Sequence, residues 1–119
     1  MNEQEAFTIA ATGMLTQMER STSTINNGCE YRTTNVSGKV LYCGVGFLLS
    51  ENLYEEAVES GEDILTLIEN SPRVSAHFEW IDSALLVDLQ DVHDAYPTSF
   101  WKDKLEQVAY QFGLVMPES

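Results

Sequence analysis

Two histidines, two cysteines and nineteen carboxylates are the side chains of this 119-residue sequence to which acid–base, nucleophilic or metal chemistry is most readily assigned. His93 is the first candidate. On a helix predicted from Ser83 to Tyr96 it projects about 80° from Leu85 and beside Leu89, which is the apolar side. Asp88, Asp91 and Asp94 fall near about 300°, 240° and 180° on the same wheel, away from His93. The pattern favours a hydrogen-bonded core histidine over a general base or a metal ligand.

Cys43 stands at the end of a predicted strand, just before Gly44-Val45-Gly46. A thiol there with His93 as its base would be the catalytic pair of a small hydrolase. The acidic surroundings raise a thiol pKa rather than lower it, which opposes that reading. Cys29 and Cys43 are expected instead as reduced, small apolar residues packing across a hairpin. Cys29-x13-Cys43 and His77-x15-His93 match no zinc-site spacing, so no metal and no cofactor are expected.

Two carboxylate groups remain. Glu51, Glu55, Glu56, Glu59, Glu62 and Asp63 crowd one stretch, and Asp88, Asp91 and Asp94 form a second row at i, i+3 and i+6. Like charges four apart destabilise a helix by a few tenths of a kcal/mol (roughly 0.2–0.5) per pair. A sequence that keeps them either tolerates the loss or uses the field. The row of Asp88, Asp91 and Asp94 lacks the alternating oxygens and glycine turn of a Ca²⁺ loop. Both are assigned here as partner-binding residues.

The elements that hold these residues are short. Residues 3–20 read as a helix with Phe7, Ala10, Ala11, Met14 and Met18 on one side. Cys29–Thr33 and Lys39–Cys43 read as a hairpin around Asn35-Val36-Ser37-Gly38. The paired glycines after it suggest a tight bend or a close backbone approach. Ser50 is placed to cap a segment through Glu59, and Ser60-Gly61-Glu62-Asp63 to cap the next. Ser71-Pro72 and Asp82 open two further helices. The last helix gathers Trp101, Leu105, Val108, Ala109 and Phe112 on one face and ends at Gly113. The predicted fold class is α+β, mostly α: short-looped helices around one core with a single two-stranded β-hairpin. Its core is expected to include Phe7, Met14, Leu48, Leu67, Leu85, Leu89, Leu105 and Phe112, with Trp80 and Trp101 buried or half-buried.

Composition sets the outer limits. Residues 1–119 suit one acidic globular domain, and 44 % apolar residues suffice for its core. No apolar run reaches membrane-spanning length, and the acidic start, Met1 to Glu5, resembles no targeting leader, so a cytoplasmic protein is expected. Six bases leave a net charge of −13, and between Glu51 and Asp94 twelve acids face one base, Arg73, a net of −11. That field repels nucleic acid and anionic lipid and attracts basic surfaces.

From the hairpin onward, Cys29-Glu30-Tyr31-Arg32, Tyr42-Cys43-Gly44-Val45-Gly46-Phe47-Leu48, Tyr54, Leu89-Gln90-Asp91-Val92-His93-Asp94, Trp101 and Phe112-Gly113-Leu114 make up a pattern. In these residues the chain resembles a family of small, uncharacterised proteins of tailed phages and prophages. It departs from that family in carrying Thr33 and Thr34 where a glycine is usual, and Ser50 where a proline is common. The resemblance implies a phage protein acting inside a bacterium and transfers no catalytic residue. Joined to the charge, it gives the expected function: a non-enzymatic, acidic anti-defence inhibitor. Its partner would be a host protein with a basic surface that handles nucleic acid or defends the cell, such as a nuclease or a CRISPR effector. Mimicry of DNA would be the mechanism, with no direct binding of nucleic acid or membrane. The alternative is a protein that sequesters a nucleotide signal, for which Arg32 and Lys39 are the only bases on the hairpin. The Cys43/His93 hydrolase is third. Oligomeric state is left open.

Overall fold

The computed structural model describes residues 2–19, 21, 32–35, 37–49, 52–53 and 64–117. Helix α1 spans Glu3–Gln17 and starts on a reciprocal cap: Glu5 N–H donates to the Asn2 side chain (2.8 Å), and Asn2 N–H donates to Glu5 Oε1 (3.3 Å). It stops earlier than its apolar pattern suggests. Met18 takes a left-handed conformation (φ 47°) and its N–H returns to the Met14 carbonyl. Met18 therefore leaves the buried face, and Gln17 takes the last buried position.

Gln17 joins α1 to the hairpin. Strands β1 (Arg32–Thr34) and β2 (Val40–Tyr42) pair antiparallel, with Arg32 opposite Tyr42 and Thr34 opposite Val40. The Gln17 amide takes the Tyr42 N–H and donates to the Tyr42 carbonyl, both at 2.8 Å. It thus pairs with β2 as a third strand would. Asn35 closes the loop by accepting from Ser37 and Lys39 N–H groups, and Gly38 supplies the positive φ the turn needs (85°). Strand β2 is one residue shorter at each end than the arm expected from sequence, and residues 29–31 of the first arm, Cys29 among them, lie outside the described residues.

Beyond β2 the chain bends at Gly44 and makes a 3₁₀ turn over Gly46–Leu48. Among the described residues the helices α2 (Ile64–Asn70), α3 (Pro72–His77), α4 (Ser83–Ala95) and α5 (Trp101–Phe112) follow. The starts of α3 and α4 follow the caps read from sequence. Ser71 Oγ accepts from Val74 N–H ahead of Pro72, and Asp82 accepts from Ala84 N–H. The caps expected at Ser50 and at Ser60–Asp63 fall outside the described residues. Gly113 ends α5 at φ 66°, and Leu114 N–H reaches back to the Ala109 carbonyl.

The result is a mostly helical fold with one two-stranded hairpin, as the patterning predicted. Helices α1, α4 and α5 pack on one another around Phe7, Met14, Leu85, Leu89, Trp101 and Leu105, all fully buried. Seven of the eight expected core residues are buried, and Phe112 is half-buried at the C-terminal edge. Trp80 is the exception among the tryptophans: it stands 77 % exposed in the turn between α3 and α4.

Candidate functional site

Two places hold the candidate residues: a polar network inside the fold and a groove on its surface. Both are built on α4, whose two flanks carry the relevant side chains.

The interior network begins at Gly44. A Cβ there would sit 2.6 Å from the Leu89 carbonyl oxygen, so only glycine lets the bend lie against the α4 main chain. That approach brings Cys43 and Val45 to Gln90. Val45 N–H faces Gln90 Oε1 at 3.4 Å, and Gln90 Nε2 bridges both oxygens of Asp94 at 3.2 Å. Asp94 in turn lies 2.6 Å from His93 Nδ1. His93 is fully buried, its ring 5.6 Å from that of Trp101. Its Nε2 accepts the Ser21 N–H at 2.8 Å. An acceptor nitrogen carries no proton, so the neutral ring has its hydrogen on Nδ1 and donates it to Asp94.

This geometry corrects one reading of the helical wheel. Asp94 does reach His93, although 180° and 80° separate them from a common origin by about 100°. The residues are adjacent, and Nδ1 is the ring nitrogen nearest the backbone, so the short carboxylate turns to meet it.

The network is poor nucleophilic machinery. Burial pushes the Cys43 thiol up to about 12, against smaller opposing effects of hydrogen bonds from Gly46 N–H and Gln90. Both ring nitrogens of His93 are engaged, which leaves no base for the thiol. The second histidine, His77, lies 2.7 Å from the Leu48 carbonyl through Nε2, a structural tie between α3 and the 3₁₀ turn. Among the described residues no group of three or more His, Cys, Asp or Glu side chains could hold a metal.

The surface groove runs between α4 and α5 and encloses about 190 Å³. Asp88 and Asp91 form one wall, Lys104, Gln107 and Gln111 the other, over Val92 and Val108. Lys104 Nζ sits 4.6 Å from the centre of the Tyr96 ring at one end. Partial burial, and then the neighbouring Asp91 charge, raise the Asp88 carboxyl above its ordinary value. Gln107 also borders a second, shallower depression with Asp103, Glu106 and Tyr110. Tyr110 is 90 % exposed. Helix α5 carries two lysines and two acids, so the negative potential of this face comes from α4.

The structure therefore divides the second carboxylate row. Asp88 and Asp91 line the groove, while Asp94 serves the interior network. Glu51, Glu55, Glu56, Glu59, Glu62 and Asp63 lie outside the described residues.

No family model, curated protein or solved structure matches this chain. Among the described residues no helix is long and apolar enough to cross a membrane.

Sequence reasoning passed over Tyr110 and Gln17. Tyr110 had a signal: it sits about 180° from Trp101 on the α5 wheel, opposite the apolar face. Gln17 had none, because its role depends on where β2 comes to lie.

Proposed function

We propose that this protein is a non-enzymatic binding protein whose acidic surface docks onto a basic surface of a host protein that handles nucleic acid. The observation that carries this reading is the groove wall of Asp88 and Asp91, two carboxylates that repel each other, set in a chain of net charge −13. A partner's arginine or lysine placed between them relieves that repulsion and gains two charge-assisted hydrogen bonds. The exposed Tyr110, in the neighbouring depression that shares Gln107 with the groove, is of a residue type that commonly anchors interfaces. Competition with nucleic acid follows, because carboxylates that occupy a phosphate-binding groove exclude phosphates from it.

The resemblance to small phage proteins supports a bacterial setting and an anti-defence role, with a nuclease or CRISPR effector as the partner class. A catalytic reading has less support, since Cys43 is buried and protonated and His93 is fully engaged.

Affinity capture from a bacterial lysate, followed by mass spectrometry, tests the proposal. A basic nucleic-acid-handling protein, displaced by added duplex DNA, supports it. A nucleotide released from the purified protein by heat, with no protein partner, contradicts it and favours the sequestering alternative.

A further inference from the structure

The bond from Ser21 N–H to His93 Nε2 fastens the chain beyond α1 to helix α4 across the core, and it exists only while that nitrogen is bare. We propose that His93 is a proton-sensitive latch: neutral, it holds residue 21 against α4, and on protonation at Nε2 it releases that hold. This inference is independent of the proposed partner.

The geometry allows little else at that nitrogen. A proton on Nε2 would face the amide proton of Ser21, two donors 2.8 Å apart with no acceptor between them. The other ring nitrogen already donates to Asp94, so the ring cannot answer by exchanging tautomers without breaking that bond. Among the described residues the groups to consider near the ring are these. Helix α4 contributes the Asp94 carboxylate, held from its other side by Gln90. Helix α5 contributes the uncharged Trp101 ring. On the bend after β2 the Cys43 thiol, which interacts with Gln90 and Asp94, is kept neutral by burial. On the chain beyond α1 the described charge is Glu19, whose carboxylate is occupied by the Asn35 side-chain amide at 3.1 and 3.3 Å. Among the described residues Asp94 is the one charged group with a hydrogen bond to the ring. It stays bonded to Nδ1 in both charge states and can retain the ring in place while Ser21 is freed. The Gln17–Tyr42 pairing does not involve His93, so it should survive that release.

Nuclear magnetic resonance on the full chain tests the latch. Long-range ¹⁵N–¹H spectra near neutral pH should show His93 with its proton on Nδ1. Exchange protection of the Ser21 amide, corrected for the intrinsic effect of pH, should fall by about tenfold per pH unit in the range where only the released state takes up the proton. Amides in the middle of α4 should keep their protection. In His93→Gln, which keeps an acceptor and a donor but does not titrate, Ser21 protection should not change with pH. If that variant fails to fold, the parent titration decides alone. A proton on Nε2 at neutral pH overturns the proposal. So does Ser21 protection that persists while His93 titrates, as when the ring turns its new donor onto Ser21 Oγ. A ring that stays neutral until the whole chain unfolds overturns it too.

Discussion

Replacing Gly44 with alanine tests the joint that brings Cys43 and Val45 to α4. The new Cβ would lie 2.6 Å from the Leu89 carbonyl oxygen, 3.0 Å from its carbon and 3.4 Å from Met14 Sδ. A carbon–oxygen contact is comfortable near about 3.4 Å, so roughly 0.8 Å of separation has to be created. The obstacle is main chain in the middle of a helix, which cannot swing aside as a side-chain tip can. Either the bend withdraws, loosening the Val45–Gln90 contact, or α4 shifts on Phe7 and Trp101. Forced insertions of this kind cost about 1–3 kcal/mol. At roughly 4 °C per kcal/mol for a chain of this size, the melting temperature should fall by about 4–12 °C. Thermal unfolding followed by circular dichroism, with urea titrations for the free energy, measures it. Gly38→Ala is the control: it has open space around it and only the strain of its φ of 85° to bear. A Gly44→Ala protein within about 0.5 kcal/mol of the parent would refute the close approach and, with it, the placement of the interior network.

Leu89→Ala, by the same unfolding assay, should cost about 2–5 kcal/mol, because Leu89 is fully buried where α4 faces the core. The Cys43 thiol should resist alkylation at pH 8 in the folded chain and react once the chain is unfolded in urea. Because its folded value is raised from the ordinary 9.0 to about 12, an unfolded chain ionises first, and stability should decline as pH rises through that interval. Cys43→Ala should remove that decline. Asp88→Asn should raise stability slightly at neutral pH. The raised carboxyl holds its proton better in the folded chain, so its contribution falls as pH climbs above the ordinary 3.8, and the variant should lack that slope.

Much of the fold was legible because local chemistry decided it. Ser71-Pro72, Asp82 and Gly113 bound their helices where capping rules put them, and Asn35 and Gly38 made the turn. The α1 boundary was not legible, since Met18 continues the apolar pattern while its backbone turns left-handed. Trp80 was expected to be buried or half-buried, yet it falls in the turn between α3 and α4, where Phe78 and Ile81 take the buried positions. The candidate site was legible in part. His93 faces the core, as its angle on the wheel required, but its link to Asp94 and Ser21 depends on rotamers and on a segment far away in sequence. The spacing of Asp88, Asp91 and Asp94 suggested one row. A regular helix turns by about 300° over three residues, so each step carries the row further round, and the third member passes from the groove to the other flank.

The central claim is that carboxylates of this chain contact a basic partner, and association kinetics with the captured partner test it most directly. The rate should be measured from low to physiological salt for the parent, for Asp88→Lys with Asp91→Lys, and for Glu55, Glu56, Glu59 and Glu62 all changed to lysine. Asp94 is left intact because changing it would disturb His93. Steered association should slow clearly as the Debye length shortens to about 8 Å at 0.15 M salt. At least one reversed variant should bind more weakly while unfolding like the parent, and nucleic acid should compete. Both reversed variants binding as fast and as tightly as the parent at every salt concentration would contradict the claim.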